Sequence, residues 1–178
     1  MIINMEPRLK QLFTAEEIQL TISRLASEIR RDYAGKTPLI MGVLKGSFIF
    51  LADLIRMLEM PLEIAFIRAA SYGATDVSSG VVRITNDTDA GIGNRDIIVV
   101  EDIVDTGLTL DVILKHLRAK KPASLKTCAL IDKPHRRQIS IKIDYHGFHA
   151  KDVFLVGYGL DYNEKYRYLQ DIYVMEKA

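Results

Sequence analysis

The chain has 178 residues, 48% hydrophobic and 26% charged, with a formal net charge of +1. That length and composition suit one soluble globular domain spanning 1–178, with enough residues to bury a core unaided. The near-neutral balance advertises no basic face for nucleic acid, no run approaches the ~20 apolar residues of a membrane span, and one cysteine cannot form an internal disulfide.

The amino-terminal MIINMEPRLK lacks the apolar stretch of a signal peptide, and together with the lone Cys128 this places the protein in the cytoplasm. Cys128 sits inside the apolar run LKTCALI and reads as a core thiol. The first clear element is a helix after Thr14. Thr14 and Glu17 have capping-box spacing, and Ile18, Ile22, Leu25 and Ile29 recur on one helical face before Gly35 and Pro38. PLIMGV (38–43) is a short buried strand, SFIFLADLIRML (47–58) a helix and LEIAFIRA (62–69) a strand. SYGATDVSSG (71–80) is a polar, glycine-bearing loop, and GVVRITND (80–87) alternates as a strand before a turn at 89–93. DIIVVE (96–101) is an apolar strand, LTLDVILKHLRA (108–119) a helix and SLKTCALID (124–132) a strand. DYHGFHA, DVFLVGYG and a final DIYVM are short strands.

Alternating strands and helices, with strands apolar on both faces, predict an α/β fold with a mostly parallel central sheet covered by helices on both sides. Ligands in such sheets bind outside the carboxyl ends of the strands. The stretch IIVVEDIVDTGLT (97–109) falls at one such end. A strand-to-helix loop there offers backbone N–H groups and a helix N-terminus to phosphate. Gly107 allows close approach, and the Thr106 and Thr109 hydroxyls add donors. Glu101 and Asp102 are good acceptors for a ribose 2′,3′-diol and good ligands for Mg²⁺ that also holds substrate phosphates. A solvated αβ turn with an Asp or Thr cap would show the same residues. Walker spacing is absent, since the one GKT has Arg30 where its first glycine should stand, and GxGxxG fails at Asp96.

This stretch resembles the phosphoribosyl-pyrophosphate (PRPP) signature of the type I phosphoribosyltransferases: an apolar strand, two acids, then a short Thr/Gly loop. Four other stretches resemble the hypoxanthine-guanine branch, so that the likeness runs from about Leu39 to the carboxyl end. It implies the phosphoribosyltransferase fold, with a small hood built from the amino- and carboxyl-terminal segments. Glu101, Asp102, Asp105, Thr106, Gly107, Leu108 and Thr109 would then bind PRPP and its 5′-phosphate. Leu44-Lys45-Gly46-Ser47 resembles the pyrophosphate loop, whose Leu–Lys peptide is commonly cis. Ser71 and Tyr72 would lie on a lid. Lys133, in Asp132-Lys133-Pro134, would donate to a purine 6-oxo group.

The run from Phe154 to Arg167 resembles the family's second signature. Phe154 would stack on the purine, Leu155 and Asp161 would meet the base edge, and Arg167 would hold pyrophosphate. The metal expected is Mg²⁺, on Glu101, Asp102 and Asp161. Asp105 would be the catalytic group, taking or holding the N7 proton as N9 attacks C1′; adenine-using relatives carry a small apolar residue there. The implied activity is purine salvage: hypoxanthine or guanine plus PRPP gives IMP or GMP plus pyrophosphate. The family commonly forms dimers and tetramers, which implies a homo-oligomer. A xanthine-specific relative fits less well, because it lacks the LDYNEKYR run. The rival reading is a PRPP- or nucleotide-sensing regulator on the same fold that binds nucleic acid; the net charge of +1 argues against it.

Overall fold

A computed structural model describes residues 7–71, 82–86 and 91–176. The first element is one that hydropathy alone does not announce: β1 (Arg8–Phe13), whose side chains are mostly exposed. It forms by antiparallel pairing with the last strand, which joins Arg8 to Glu176 and Lys10 to Val174. Helix α1 (Ala15–Asp32) follows, and its capping box is complete. The Thr14 hydroxyl accepts from the Glu17 N–H, and the Glu17 carboxylate accepts from the Thr14 N–H at 2.8 Å. Asp171 accepts from the Ala15 N–H at 2.7 Å, so the carboxyl-terminal segment is tied to the start of the same helix.

The main sheet uses β2 (Leu39–Leu44), β3 (Glu63–Ser71), β4 (Val82–Asn86), β5 (Asp96–Val104), β6 (Ser124–Asp132) and β7 (Tyr145–His149), in spatial order β4-β3-β2-β5-β6-β7. Only β4 runs antiparallel; the other pairings are parallel. Helices α2 (Phe48–Leu58) and α3 (Leu108–Ala119) make the crossovers. Successive strand residues face opposite ways. Thus Ile40, Ile98 and Val100 pack with α1 and α2, whereas Leu39, Met41, Ile97 and Val99 pack with α3. Two apolar layers result, one on each face of a sheet that is buried on both. Cys128 is fully buried in the first layer, and burial pushes its thiol up, which leaves it a packing residue.

Strand β5 is longer than its apolar run suggests. Pairing with β6 continues through Glu101↔Ala129 to Val104↔Asp132, so the strand runs past its expected end at Glu101 and takes in Asp102, Ile103 and Val104. Conversely, the strand expected over DVFLVGYG shrinks to β8 (Leu155–Val156), which pairs with β9 (Ile172–Glu176). Beyond it, Gly157, Tyr158 and Gly159 all have positive φ, and a strand cannot continue through them. Strands β1, β9 and β8 form a separate three-stranded sheet, the expected hood. Among the described residues, no helix is long and apolar enough to cross a membrane.

Candidate active site

From β2 the chain winds outward to β3 and β4, and from β5 it winds the other way to β6 and β7. Neighbouring loops after β2 and β5 therefore diverge and leave a crevice at their carboxyl ends, the usual ligand position in an open α/β sheet. A cleft of about 440 Å³ lies there, within the ordinary size of a small-molecule site. Ten of the residues expected from sequence line it: Leu44, Lys45, Gly46, Asp102, Asp105, Lys133, Phe154, Leu155, Asp161 and Arg167.

The floor comes from the register of β5 and β6. Val104 lies beside Asp132, and the Lys133 N–H donates to the Val104 carbonyl at 3.0 Å. The next residues, Asp105 and Lys133, must then emerge together at the sheet's carboxyl edge. Lys133 is 6% exposed, and its ammonium donates to the Val153 carbonyl at 2.7 Å. Burial holds it below the usual lysine range, partly offset by the charges of Asp105 and Asp152. An ammonium has three donors, so two remain for a ligand oxygen. Asp105 is held from the side by Arg136, whose Nε donates at 3.0 Å while its other arm reaches Asp152. Arg137 donates to the Asp105 carbonyl at 3.2 Å and pairs with Asp132.

Next to this floor, a smaller cavity of about 100 Å³ is lined by Glu101, Asp105, Thr106, Gly107 and Thr109. Gly107 has φ +86° and stands immediately before α3, so the loop turns left-handed into the helix start. The first N–H groups of a helix have no partner within it and suit an anion. Leu108, also expected here, donates its N–H to the Thr106 hydroxyl at 3.4 Å, and the Thr106 carbonyl accepts from Gln138.

One wall of the cleft is the β2–α2 loop. The Leu44–Lys45 peptide is cis. A Cβ on Gly46 would fall on the Asp102 carboxylate, and a Cβ on Gly159 would meet the Gly46 carbonyl. The opposite wall is the left-handed run after β8. There Arg167 pairs with Asp161 at 2.8 Å and with Glu164 at 3.0 Å, and donates to the Gly159 carbonyl at 2.7 Å. Lys45 reaches across to Glu164 at 2.7 Å. Phe154 is half exposed, its ring edge-on to Tyr162 at 5.6 Å between centroids. That leaves an aromatic surface beside Lys133 and Asp105 for a flat ring.

The three expected metal ligands are not gathered into one cage. Asp102 and Asp161 line the large cleft and Glu101 the small cavity; no group of three such side chains converges among the described residues. Burial pushes the Glu101 carboxyl well above its ordinary range, helped by the neighbouring Asp102 charge. Burial also pushes Asp102 up, to about 6. Adjacent carboxylates that resist ionisation in isolation are a fitting donor set for a cation that arrives with substrate phosphates. Of the lid pair, Ser71 ends β3 and Tyr72 lies outside the described residues. Sequence reasoning passed over Arg68, Ala69, Ile103, Leu160 and Glu164, which also line the cleft. Arg68 and Glu164 had a findable signal, being charged residues beside recognised motifs.

Comparison with known proteins places these features in context. Residues 8–163 match the family model described as phosphoribosyl transferase domain. Among curated relatives, the chain is 45% identical over 169 residues to a hypoxanthine-guanine phosphoribosyltransferase of Bacillus subtilis, covering 95% of this chain and 94% of that one. It is 42% identical to the protein of the same name from Aquifex aeolicus, covering 95% and 96%. A crystal structure of a hypoxanthine-guanine phosphoribosyltransferase from Bacillus anthracis superposes with a TM-score of 0.90 at 43% identity, covering 96% of this chain and 99% of the other.

Proposed function

Because the chain belongs to the phosphoribosyltransferase family, in its hypoxanthine-guanine branch, we propose that the cleft transfers the 5-phosphoribosyl group of PRPP to N9 of hypoxanthine or guanine. The products are the nucleoside 5′-monophosphate, IMP or GMP, and pyrophosphate. The chain is thus a pentosyltransferase of purine salvage. The relatives are named as enzymes, which gives the regulatory reading no support.

The observation that carries the assignment is the emergence of Asp105 and Lys133 side by side at the β5/β6 edge, with Lys45 and Arg167 on the flanking walls. Lysine offers donors and no acceptor, so Lys133 suits a 6-oxo group and disfavours a 6-amino group. A purine lying against Phe154 with O6 toward Lys133 would bring N7 toward Asp105. As the N9 lone pair forms the bond to C1′, the bond from C1′ to the pyrophosphate oxygen breaks. The N7 proton passes to the Asp105 carboxylate, a general-base contribution of roughly 10²–10⁴-fold. Arg136 holds that carboxylate by a hydrogen bond at 3.0 Å. The Thr106–Thr109 loop would take the 5′-phosphate, and Glu101 and Asp102 the ribose diol. Lys45 and Arg167 would take the departing pyrophosphate, for which a planar guanidinium is well suited.

Enzymes of this family use PRPP with a divalent metal. The metal here would be Mg²⁺, and the residues that would hold it are Asp102 and Asp161, which line the cleft, and Glu101, which lines the smaller cavity. When bound it neutralises the leaving group's charge. Ser71 and Tyr72 would belong to a lid that shields C1′ from water. The reading carries with it a single-domain, cytoplasmic homodimer or homotetramer with no nucleic-acid or membrane partner. The test offers hypoxanthine, guanine, xanthine and adenine in parallel with PRPP and Mg²⁺. Turnover is expected with the first two, none with adenine, and none after chelation. Failure with all four bases would overturn the assignment.

A further inference from the structure

Glu164 is not accounted for by the chemistry above, yet it stands in the middle of the machinery. Its carboxylate directs one oxygen to each flanking cation: Oε1 to the Lys45 ammonium at 2.7 Å and Oε2 to Arg167 at 3.0 Å. The two cations come from opposite walls, and Glu164 lies 119 positions along the chain from Lys45. The backbone holds Glu164 in place. Its φ is +61°, its N–H donates to the Asp161 carboxylate at 2.9 Å, and Tyr162 and Lys165 close the turn around it with reciprocal hydrogen bonds. A left-handed residue that is not glycine is uncommon and persists where its surroundings over-determine it. The two cations also hold the Glu164 carboxyl below its usual range, so it is an anion at neutral pH.

Two acceptor oxygens set between a lysine and an arginine are what a pyrophosphate would present to the same pair. We propose that Glu164 is an internal stand-in for pyrophosphate: it occupies Lys45 and shares Arg167 with Asp161 when no pyrophosphate group is bound, must be displaced for PRPP to bind, and returns to eject the product. The proposal rests on the reading of Lys45 and Arg167 as pyrophosphate ligands. It makes Glu164 a determinant of affinity and selectivity. A single carboxylate competes well against orthophosphate and poorly against the greater charge of pyrophosphate. Because the contact is largely exposed, its effect is moderate and falls as salt screens it.

The experiment is calorimetric titration of the intact protein with inorganic pyrophosphate in Mg²⁺. Wild type is compared with Glu164→Gln, which keeps the shape and removes the charge, and Glu164→Ala, which removes both. Both variants are expected to bind pyrophosphate about fivefold more tightly, the upper scale for loss of a solvent-exposed ion pair. The advantage should shrink at high salt, KM for PRPP should fall in parallel, and kcat should not rise. Discrimination against orthophosphate should weaken. A residue that merely shapes the loop would move affinity the other way, so unchanged or weaker binding in both variants overturns the proposal alone. If wild type and variants all fail to bind pyrophosphate, the assignment of Lys45 and Arg167 falls, and the proposal with it.

Discussion

The α-carbon of Gly46 rests against the carboxylate of Asp102, with no room for a single added carbon between them. One residue comes from the loop after β2 and the other from inside β5. Their contact therefore joins the expected pyrophosphate wall to the expected ribose acid across the switch point of the sheet. On its far side the Gly46 carbonyl meets Gly159, so the loop is clamped between two elements.

Gly46→Ala should displace Asp102, because the obstructing atoms are its carboxylate and the loop behind Gly46 cannot retreat past Gly159. KM for PRPP is expected to rise at least tenfold. Overpacking of this kind destabilises by about 1–3 kcal/mol. Steady-state kinetics and thermal melting check the two effects; an alanine variant with normal KM would show that the contact does not position the site.

Asp102 itself should leave a pH signature. Its folded-state pKa is raised from 3.8 to about 6, mainly by burial. The folded protein therefore binds this proton more tightly than the unfolded chain. The resulting stability is fully present below pH 3.8 and is lost as pH rises through about 6. Asp102→Asn should accordingly be more stable than wild type at pH 7.5, by about 3 kcal/mol, with little of that advantage left near pH 4. Urea unfolding at the two pH values measures it. PRPP binding by wild type should strengthen as pH rises through the same window, since the ionised carboxylate is the stronger acceptor for the ribose diol; a flat profile would remove Asp102 from that role.

Asp105→Asn should lower kcat by roughly 10²–10⁴-fold with little change in PRPP affinity. The amide keeps the shape but cannot take the N7 proton. Stability should change little, because the ion pair lost with Arg136 is largely exposed. Equal losses in turnover and PRPP binding would contradict the general-base role.

Lys133→Ala should raise KM for hypoxanthine and guanine and relax discrimination against adenine, leaving KM for PRPP near its wild-type value. It should also destabilise by about 1 kcal/mol, because the part-buried Val153 carbonyl loses its donor. Unchanged base selectivity would assign 6-oxo recognition elsewhere.

Local patterns in the chain carried much of this architecture. The capping box at Thr14 and Glu17 and the spacing of Ile18, Ile22, Leu25 and Ile29 define α1 without outside help, because each contact lies within a turn or two of helix. The apolar runs at 96–101 and 124–132 mark central strands for the same reason: burial on both faces leaves a composition signal. The Glu101–Thr109 stretch and the Phe154–Arg167 stretch carry enough residues in fixed spacing to resemble a family.

What the sequence determined by itself was the set of elements, the class of fold and the chemical vocabulary of the site. Only the tertiary structure decided which residues meet. Strand β1 has no periodicity of its own and exists because β9 pairs with it. Continued pairing with β6 carries β5 through the two acids, and the same register sets Lys133 beside Asp105. Contact with Asp102 and Gly159 leaves Gly46 no room for a side chain, and a salt bridge ties Glu164 to Lys45 across the cleft. All of these are contacts between residues distant in the chain. They depend on strand register and on the approach of one backbone to another, quantities that no local run of amino acids encodes.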